Sequence, residues 1–335
     1  MKVYEIQNEF GLENLKKAER REPEPGPNEV MVRVRATSLN FRDLMMVQGG
    51  YNPRQKLPLI PNSDGAGEVV EVGEDVHRVR VGDRVAGIFA QKWLAGAPDM
   101  SVRGSTLGSP LDGMLTEYRV LHEDGLVHIP EHLTYEEAAT LPCAAVTAWN
   151  ALMVQGGMKA GDTVLLLGTG GVSIFGLQFA KMAGARAIIT SSSDEKLERA
   201  RSLGAWETIN YQETPDWEKR VLELTGTGAD HVVEVGGAGT LTKSLASVTL
   251  GGTVTVIGVL SGVSTDLDVR TMLMKSVRLQ GLFVGSRRMF EDMNKAISYH
   301  HMQPVVDRTF KFDQAVEAFR HMADGKHFGK IVVAV

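Results

Sequence analysis

The residues whose spacing predicts chemistry most directly are the glycines of one short motif, Gly168–Ser173 (GTGGVS). It follows an apolar run typical of a buried strand, TVLLL, and precedes a stretch with helical periodicity. In this setting Gly168 permits a tight turn, and Gly170 lets a ligand approach the backbone. Gly171 and Val172 begin the helix, where backbone N–H groups and the helix dipole attract phosphate. The motif predicts a site for the pyrophosphate of a dinucleotide; a glycine turn without a ligand is the alternative.

The segment after the next predicted strand, AIITSSSDEKLERA, indicates which dinucleotide is bound. A site for NAD usually carries Asp or Glu there to bind the ribose hydroxyls. Here the first carboxylate is Asp194, which fits the first turn of a helix. The hydroxyls of Ser191 and Ser192, with the ammonium of Lys196, suit a 2′-phosphate instead. Lys196 alone could equally lie on a solvated helix face. The missing acidic residue favours NADP over NAD.

Two kinds of sequence must position these residues. From about Tyr135, apolar runs typical of strands alternate with helical stretches, which predicts a parallel sheet flanked by helices. The sequence up to about Gly125 is β-rich, whereas the segment from Val277 to Val335 is mixed and ends in the predicted strand GKIVVAV. The most economical place for this last segment is back on the first domain. We therefore expect an α/β fold in which a doubly wound parallel sheet is inserted into a β-rich domain. The predicted domains are 1–124 with 273–335, and 125–272.

The composition excludes several classes of protein. The chain has 335 residues, a formal net charge of −5 and one cysteine, so it has neither an internal disulfide nor a global basic field for nucleic acid. No apolar run approaches the ~18 residues that a membrane helix needs, and charged residues interrupt the N-terminal segment where a signal peptide is apolar. We expect a cytoplasmic protein that binds neither nucleic acid nor membrane.

Several segments together resemble the medium-chain dehydrogenase/reductase superfamily, and most closely its zinc-independent, quinone-oxidoreductase-like branch. They are SLNFRDLMMVQGGY, PNSDGAGEVVEVG, LPCAAVTAWNAL, LLLGTGGVSIFGLQFAKMAGA and HFGKIVVAV, and the resemblance covers essentially the whole chain. It implies a GroES-like substrate domain built from both chain ends, a Rossmann domain inserted in it, and an active site in the cleft that separates them. It also implies a homodimer formed by strand pairing near residues 254–266.

The resemblance bears on metal binding. Zinc-dependent members hold the metal with a Cys, a His-Glu pair and a second Cys, and the matching residues here are Asn40, Ser63, Asp64 and Cys143. Because Asn and Ser are poor zinc ligands, we expect no metal site. Cys143, on an alanine-rich helix, is expected to be a small buried residue rather than a nucleophile.

Without a metal, side-chain donors must polarise the substrate. The resemblance implies that Asn40 faces the nicotinamide, where its N–H groups could bind a substrate oxygen or the carboxamide. Tyr51 could donate its hydroxyl proton or stabilise an oxyanion. Alternatively, Asn40 only caps a turn and Tyr51 is an ordinary boundary residue. Asp43 is expected to order this turn or to pair with Arg42.

Further cofactor contacts complete the predicted site. The resemblance implies contacts near the nicotinamide, the 2′-phosphate and the carboxamide from Thr147, Tyr211, Phe283 and Val284. Ligands bind at the carboxyl ends of parallel strands, which adds Gly236, Val259 and Leu260. Lys330 is predicted to contact phosphate or ribose, or else to lie on a solvated strand edge. Arg287 and Arg288 could select an acidic substrate or simply lie on the surface.

These observations predict an NADPH-dependent, metal-free oxidoreductase that delivers hydride to a quinone or to the activated C=C of an α,β-unsaturated carbonyl. One alternative is an alcohol dehydrogenase acting on an alcohol/carbonyl pair. Another, from a different class, is an NADPH-binding protein with low turnover, because the sequence contains no indisputable general acid.

Overall fold

A computed structural model of the protein describes residues 1–267 and 269–335. The contacts divide the chain into a first unit, residues 1–146 with 284–335, and a second unit, residues 147–283. No helix in the described ranges is both long and apolar enough to cross a membrane.

The strands are numbered in chain order. They are β1 (Lys2–Ile6), β2 (Leu15–Glu19), β3 (Glu29–Leu39), β4 (Asp64–Val72), β5 (Arg84–Gly87), β6 (Tyr118–His122), β7 (Leu126–His128), β8 (Thr163–Leu166), β9 (Arg186–Ser191), β10 (Glu207–Asn210), β11 (Ala229–Glu234), β12 (Val248–Val256), β13 (Arg278–Gly281), β14 (Val306–Lys311) and β15 (Lys330–Ala334).

The helices are numbered in the same way. They are α1 (Phe41–Val47), α2 (Met100–Arg103), α3 (Tyr135–Ala138), α4 (Val146–Trp149), α5 (Gly171–Met182), α6 (Asp194–Leu203), α7 (Trp217–Thr225), α8 (Leu241–Ser247), α9 (Val269–Lys275), α10 (Arg287–His300) and α11 (Ala315–Ala323). Short 3₁₀ turns lie at Leu12–Asn14, Glu123–Gly125 and Phe312–Gln314, and wider π-helical turns at Leu141–Ala145 and Asn150–Gln155.

The first unit is built around β3, whose buried valines alternate with less buried residues as expected for a strand with one buried face. Its sheet has the order β14-β15-β3-β4-β5-β7, and β6 also pairs with β3. Val32, Val69 and Val85 contribute to one core of this unit. The antiparallel register sets Leu39 opposite Ile331, and Ser38 opposite Asp64. Residues that follow β3 therefore lie beside the starts of β4 and β15.

The second unit contains one six-stranded sheet in which all strands are parallel, with the order β10-β9-β8-β11-β12-β13. Helices α5 to α9 connect successive strands. Strand β8 is buried along its whole length, as its uninterrupted apolar sequence predicts. This order and these crossovers are those of the Rossmann fold, which confirms the predicted doubly wound sheet.

The unit boundaries differ from the expected positions 125 and 272. Strand β7 pairs with β5 and so belongs to the sheet of the first unit. Strand β13 pairs with β12 and so belongs to the sheet of the second. Pairing partners distant in sequence, rather than local composition, decide to which sheet each of these short strands belongs.

Candidate active site

The turn from β3 into α1 is held by the carboxylate of Asp43. This buried carboxylate accepts hydrogen bonds from the N–H of Asn40 (2.9 Å), and from the N–H (3.1 Å) and hydroxyl (3.0 Å) of Ser63. Arg42 forms an ion pair with it at 3.2 Å. Burial raises the pKa of Asp43, and the charge of Arg42 opposes that shift. The expectation that Asp43 orders the turn and pairs with Arg42 is confirmed.

Lys330 lies at the start of β15, and its side chain is enclosed by the first unit. Its ammonium donates to the carbonyl of Leu39 (2.7 Å), Oδ1 of Asn40 (2.6 Å) and Oδ2 of Asp64 (3.3 Å). Lys330 is only 3% exposed, and β15 is paired on both sides, so the alternative of a solvated strand edge is wrong. A direct contact with ribose or phosphate would require one of these three bonds to break.

The four residues at the metal-ligand positions do not fit a zinc ion. Asn40 Oδ1 and Asp64 Oδ2 already accept from the Lys330 ammonium, and the Ser63 hydroxyl donates to Asp43. Of the four side chains, only the Cys143 thiol and the Asp64 carboxylate are of types that zinc commonly binds, and a zinc site needs three or four protein ligands. Among the residues that the structure describes, no group of three or more His, Cys, Asp or Glu could hold a metal.

Tyr51 is held by Arg42, a residue that the sequence does not single out as functional. Tyr51 is 40% exposed, and its ring centroid lies 4.5 Å from the Arg42 guanidinium carbon. The ring centroid of Phe89 lies 5.0 Å from the same guanidinium carbon. The guanidinium also donates a hydrogen bond to the carbonyl of Leu107 at 3.0 Å. Arg42 therefore fixes the ring of Tyr51 while the ring remains accessible to solvent. The adjacent Asp43 was the only signal for this role.

In the second unit, the fingerprint turn has the shape that a pyrophosphate requires. Gly168 has a φ of +70°, which favours glycine, and Gly170 precedes the first turn of α5. A Cβ atom added to Gly168 or Gly170 would meet no described atom within 4 Å. The Ser173 hydroxyl donates to the carbonyl of Leu167 at 2.6 Å and so packs α5 against the strand. Open space thus lies at the N-terminus of a 12-residue helix, which suits a dinucleotide phosphate.

The residues predicted for the 2′-phosphate lie at the ends of β9 and β10. Asn210 is in register with Ser191, and the N–H of Tyr211 donates to the Ser191 carbonyl at 3.1 Å. Ser192 follows β9, and Lys196 lies in the first turn of α6. Together they bring hydroxyls, a phenol and an ammonium to the carboxyl ends of β9 and β10. Their assignment to the 2′-phosphate remains a prediction.

The end of β11 carries a buried carboxylate, Glu234, which lies outside the predicted site residues. Glu234 accepts hydrogen bonds from the N–H groups of Gly236 (2.7 Å) and Gly237 (2.9 Å) and from the hydroxyl of Thr240 (2.7 Å). Ser261 also donates to the Gly236 carbonyl, so both backbone polar groups of Gly236 are engaged within the protein. A charged residue ending an apolar strand, HVVEV, was the available signal.

The other predicted cofactor residues occupy varied environments. Val259 and Leu260 are exposed, Thr147 is buried and Phe283 is partly buried. Val284 is buried with a φ of +30°, a conformation that a β-branched residue rarely adopts and that often marks functional sites.

The arginine pair at the start of α10 is held by acidic partners. Arg287 binds Asp124 at 2.6 Å, and Arg288 binds Asp292 at 2.8 Å. Arg288 lies on the surface, in line with the simpler of the two expectations. Neither guanidinium is therefore reserved for an acidic substrate in this structure.

Comparison with known proteins agrees with this architecture. A family model described as the alcohol dehydrogenase GroES-like domain matches residues 26–131, and one described as zinc-binding dehydrogenase matches residues 171–299. A zinc-type alcohol dehydrogenase-like protein of Schizosaccharomyces pombe is 44% identical over 99% of each chain. A quinone oxidoreductase of Pseudomonas aeruginosa is 38% identical over 79% of this chain and 75% of its own. The crystal structure of a putative alcohol dehydrogenase from Sinorhizobium meliloti 1021 is 43% identical, with a TM-score of 0.93 over 100% of this chain and 98% of its own.

Two other similar structures are named for different cofactors or substrates. An NAD-dependent alcohol dehydrogenase is 33% identical, with a TM-score of 0.91 over 100% of both chains. The 2-octenoyl-CoA carboxylase reductase CinF, in complex with NADP and 2-octenoyl-CoA, is 28% identical, with a TM-score of 0.85 over 96% of this chain and 82% of its own. From the sheet order, the domain matches and the identity along the whole chain, this protein belongs to the medium-chain dehydrogenase/reductase superfamily of oxidoreductases.

Proposed function

We propose that the protein is an NADPH-dependent oxidoreductase that delivers hydride, without a metal ion, to a quinone or to the activated C=C of an α,β-unsaturated carbonyl. The observation that carries this proposal is the hydrogen-bonded cluster at the metal-ligand positions of the family. There, Asn40 donates to Ser63, and both Asn40 and Asp64 accept from the Lys330 ammonium. These side chains do not form a ligand set of the kind that zinc prefers.

Asn40 and Tyr51 are proposed to act on the substrate. The hydrogen bonds among the described residues use one of the two Nδ2 protons of Asn40, which is donated to Ser63 at 3.2 Å. The second proton can be donated to a carbonyl or quinone oxygen, whose negative charge grows as hydride arrives. Tyr51 is 40% exposed, and its hydroxyl can supply the proton that completes the reduction. When bound, the reduced nicotinamide supplies the hydride.

The preference for NADPH is argued from residues 190–196. Side chains near the end of β9 offer hydroxyls and an ammonium, whereas Asp194 lies in the exposed first turn of α6 and accepts from Asn210 at 2.8 Å. Donors and positive charge favour a 2′-phosphate over two free ribose hydroxyls. The NADP complex of CinF supports this choice, and the NAD-dependent alcohol dehydrogenase stands against it.

We also propose a homodimer. The expected pairing near residues 254–266 would involve β12, but β12 already has a neighbouring strand on each side. The outer strand at this side of the sheet is β13. Pairing of β13 with the same strand of a second copy would join the two sheets and cover the exposed edge of β13.

An alcohol dehydrogenase remains the second candidate, because the relative that is 44% identical carries a zinc-type alcohol dehydrogenase-like name. A cofactor-oxidation screen with NADPH and NADH in parallel, using simple enones, 1,2-naphthoquinone and aldehydes, separates the candidates. We expect NADPH oxidation with enones or quinones by protein purified without added zinc. About one zinc per chain with turnover of alcohols would favour the second candidate. Tight NADPH binding without any oxidation would favour a low-turnover binding protein.

A further inference from the structure

We propose that Lys330 is a positioning residue whose ammonium takes the place of a catalytic metal ion and orients the amide of Asn40 toward the substrate. This inference rests on the proposed function and assigns to Lys330 a role other than binding the cofactor. It concerns one cluster of the first unit, formed by Lys330, Asn40, Asp64, Ser63 and Asp43.

The ammonium is fully committed to the protein. An ammonium has three protons to donate and no lone pair to accept with. In Lys330 the three acceptors are the Leu39 carbonyl, Asn40 Oδ1 and Asp64 Oδ2, at 2.7, 2.6 and 3.3 Å. Three hydrogen bonds therefore fix the position of the ammonium. It lies beside Asn40 and Asp64, two of the four residues at the metal-ligand positions of the family.

This arrangement fixes which way the Asn40 amide points. Because the ammonium can only donate, it must face Oδ1, and the reversed amide would set N–H against N–H. On the other side, the Ser63 hydroxyl donates to Asp43 at 3.0 Å, so its oxygen accepts from Asn40 Nδ2 at 3.2 Å. Both neighbours thus select the same orientation. The remaining Nδ2 proton is the one that the proposed reaction uses.

Together with Arg42, the cluster also balances charge. Asp43 pairs with Arg42, and Asp64 pairs with Lys330, although both carboxylates are completely buried. Removal of the ammonium alone would leave the Asp64 carboxylate buried without a counter-ion, which is strongly destabilising. Lys330→Met alone therefore cannot distinguish a structural role from a positioning role.

The test pairs Lys330→Met with Asp64→Leu, because leucine carries neither the charge nor a donor that could replace the ammonium. Compared with Lys330→Met, we expect the double variant to recover Tm. We expect its kcat with NADPH and an enone to stay on the order of 10- to 100-fold below that of the unchanged protein. The Kd for NADPH should change less than about threefold, since no ammonium–phosphate contact is lost. A folded double variant with unchanged kcat would overturn the proposal, as would a large loss of NADPH affinity.

A second comparison asks whether Lys330 acts through Asn40. Asn40→Leu should lower kcat in the unchanged protein but add little in the double-variant background, because both changes remove the same donor. Additive losses would contradict the proposal. Lys275→Met is the matched control: it removes an ammonium that donates to the Ala246 and Val248 carbonyls in the second unit, and it should leave kcat unchanged.

A measurement without turnover separates this proposal from the proposed reaction. In protein labelled with ¹⁵N at asparagine, the side-chain resonances of Asn40 are identified by their loss in Asn40→Leu. We expect them to shift or broaden in the Lys330→Met/Asp64→Leu variant, and unchanged resonances would refute the role of Lys330. An inactive unchanged protein would refute the proposed reaction, and the spectra would still decide the positioning role.

Discussion

At the scale of single residues, Tyr51 shows how a side chain can be fixed and remain accessible. Arg42 holds its ring at 4.5 Å while 40% of the residue stays exposed. Tyr51→Phe keeps the ring and removes only the hydroxyl. We expect kcat for enone reduction to fall on the order of 10- to 100-fold, because the proton donor is lost, with little change in Tm. Steady-state NADPH oxidation measures this, with the exposed Tyr299→Phe as control. Equal rates for both variants would remove Tyr51 from the reaction.

Cofactor choice is a second prediction at this scale. Lys196→Ala removes positive charge at the end of β9, where Ser191, Ser192 and Tyr211 offer only neutral groups. We expect KM for NADPH to rise about tenfold, the loss of one charge-assisted hydrogen bond, while KM for NADH changes little. Lys219→Ala, which removes an exposed ammonium from α7 of the same unit, is the control. A parallel rise for both cofactors would mean that Lys196 does not read the 2′-phosphate.

At the scale of elements, a substitution in the fingerprint turn, Gly168–Ser173, can test ligand contact without introducing backbone strain. Gly170 has a φ of −78°, which alanine tolerates, and its added Cβ would point into space that no described atom occupies. Gly170→Ala should therefore leave Tm unchanged but weaken NADPH binding, because the methyl group fills the space of the pyrophosphate. Gly104→Ala, at a glycine with a φ of −79°, is the matched control. Titration followed by cofactor fluorescence measures the affinity for NADPH, and thermal unfolding measures Tm. Unchanged affinity for NADPH would contradict the predicted phosphate site.

The same scale shows what the sequence can and cannot predict. The alternation of strands and helices is a local pattern, so the parallel sheet and the fingerprint turn were predictable from it. The environment of Lys330 was not, because its partner Asn40 lies 290 residues away and only the pairing of β15 with β3 brings the two together. The role of β13 depended in the same way on its pairing with β12. Long-range pairing, rather than residue type, decides such positions.

At the scale of the whole molecule, partly buried carboxylates make stability depend on pH, and Asp307 is the clearest case. Burial alone would raise the pKa of Asp307, but hydrogen bonds from His321 (2.9 Å) and from the Phe328 N–H (3.0 Å) outweigh it and lower the pKa. These contacts tie α11 and the segment before β15 to β14. A carboxylate with a lowered folded-state pKa stabilises the protein above its ordinary pKa of about 4 and loses that contribution as pH falls below it.

Asp307→Asn should therefore lower the free energy of unfolding by about 1–3 kcal/mol near pH 6. The difference from the unchanged protein should shrink as pH falls below about 4, because the unfolded chain then takes up a proton at Asp307 before the folded chain does. Urea unfolding followed by circular dichroism across this range measures the difference, with the exposed Asp324→Asn as control. A difference that stays constant with pH would mean that the Asp307 side chain contributes only shape. One that grows toward low pH would reverse the expected sign, since the carboxyl would then be stabilised in its protonated form.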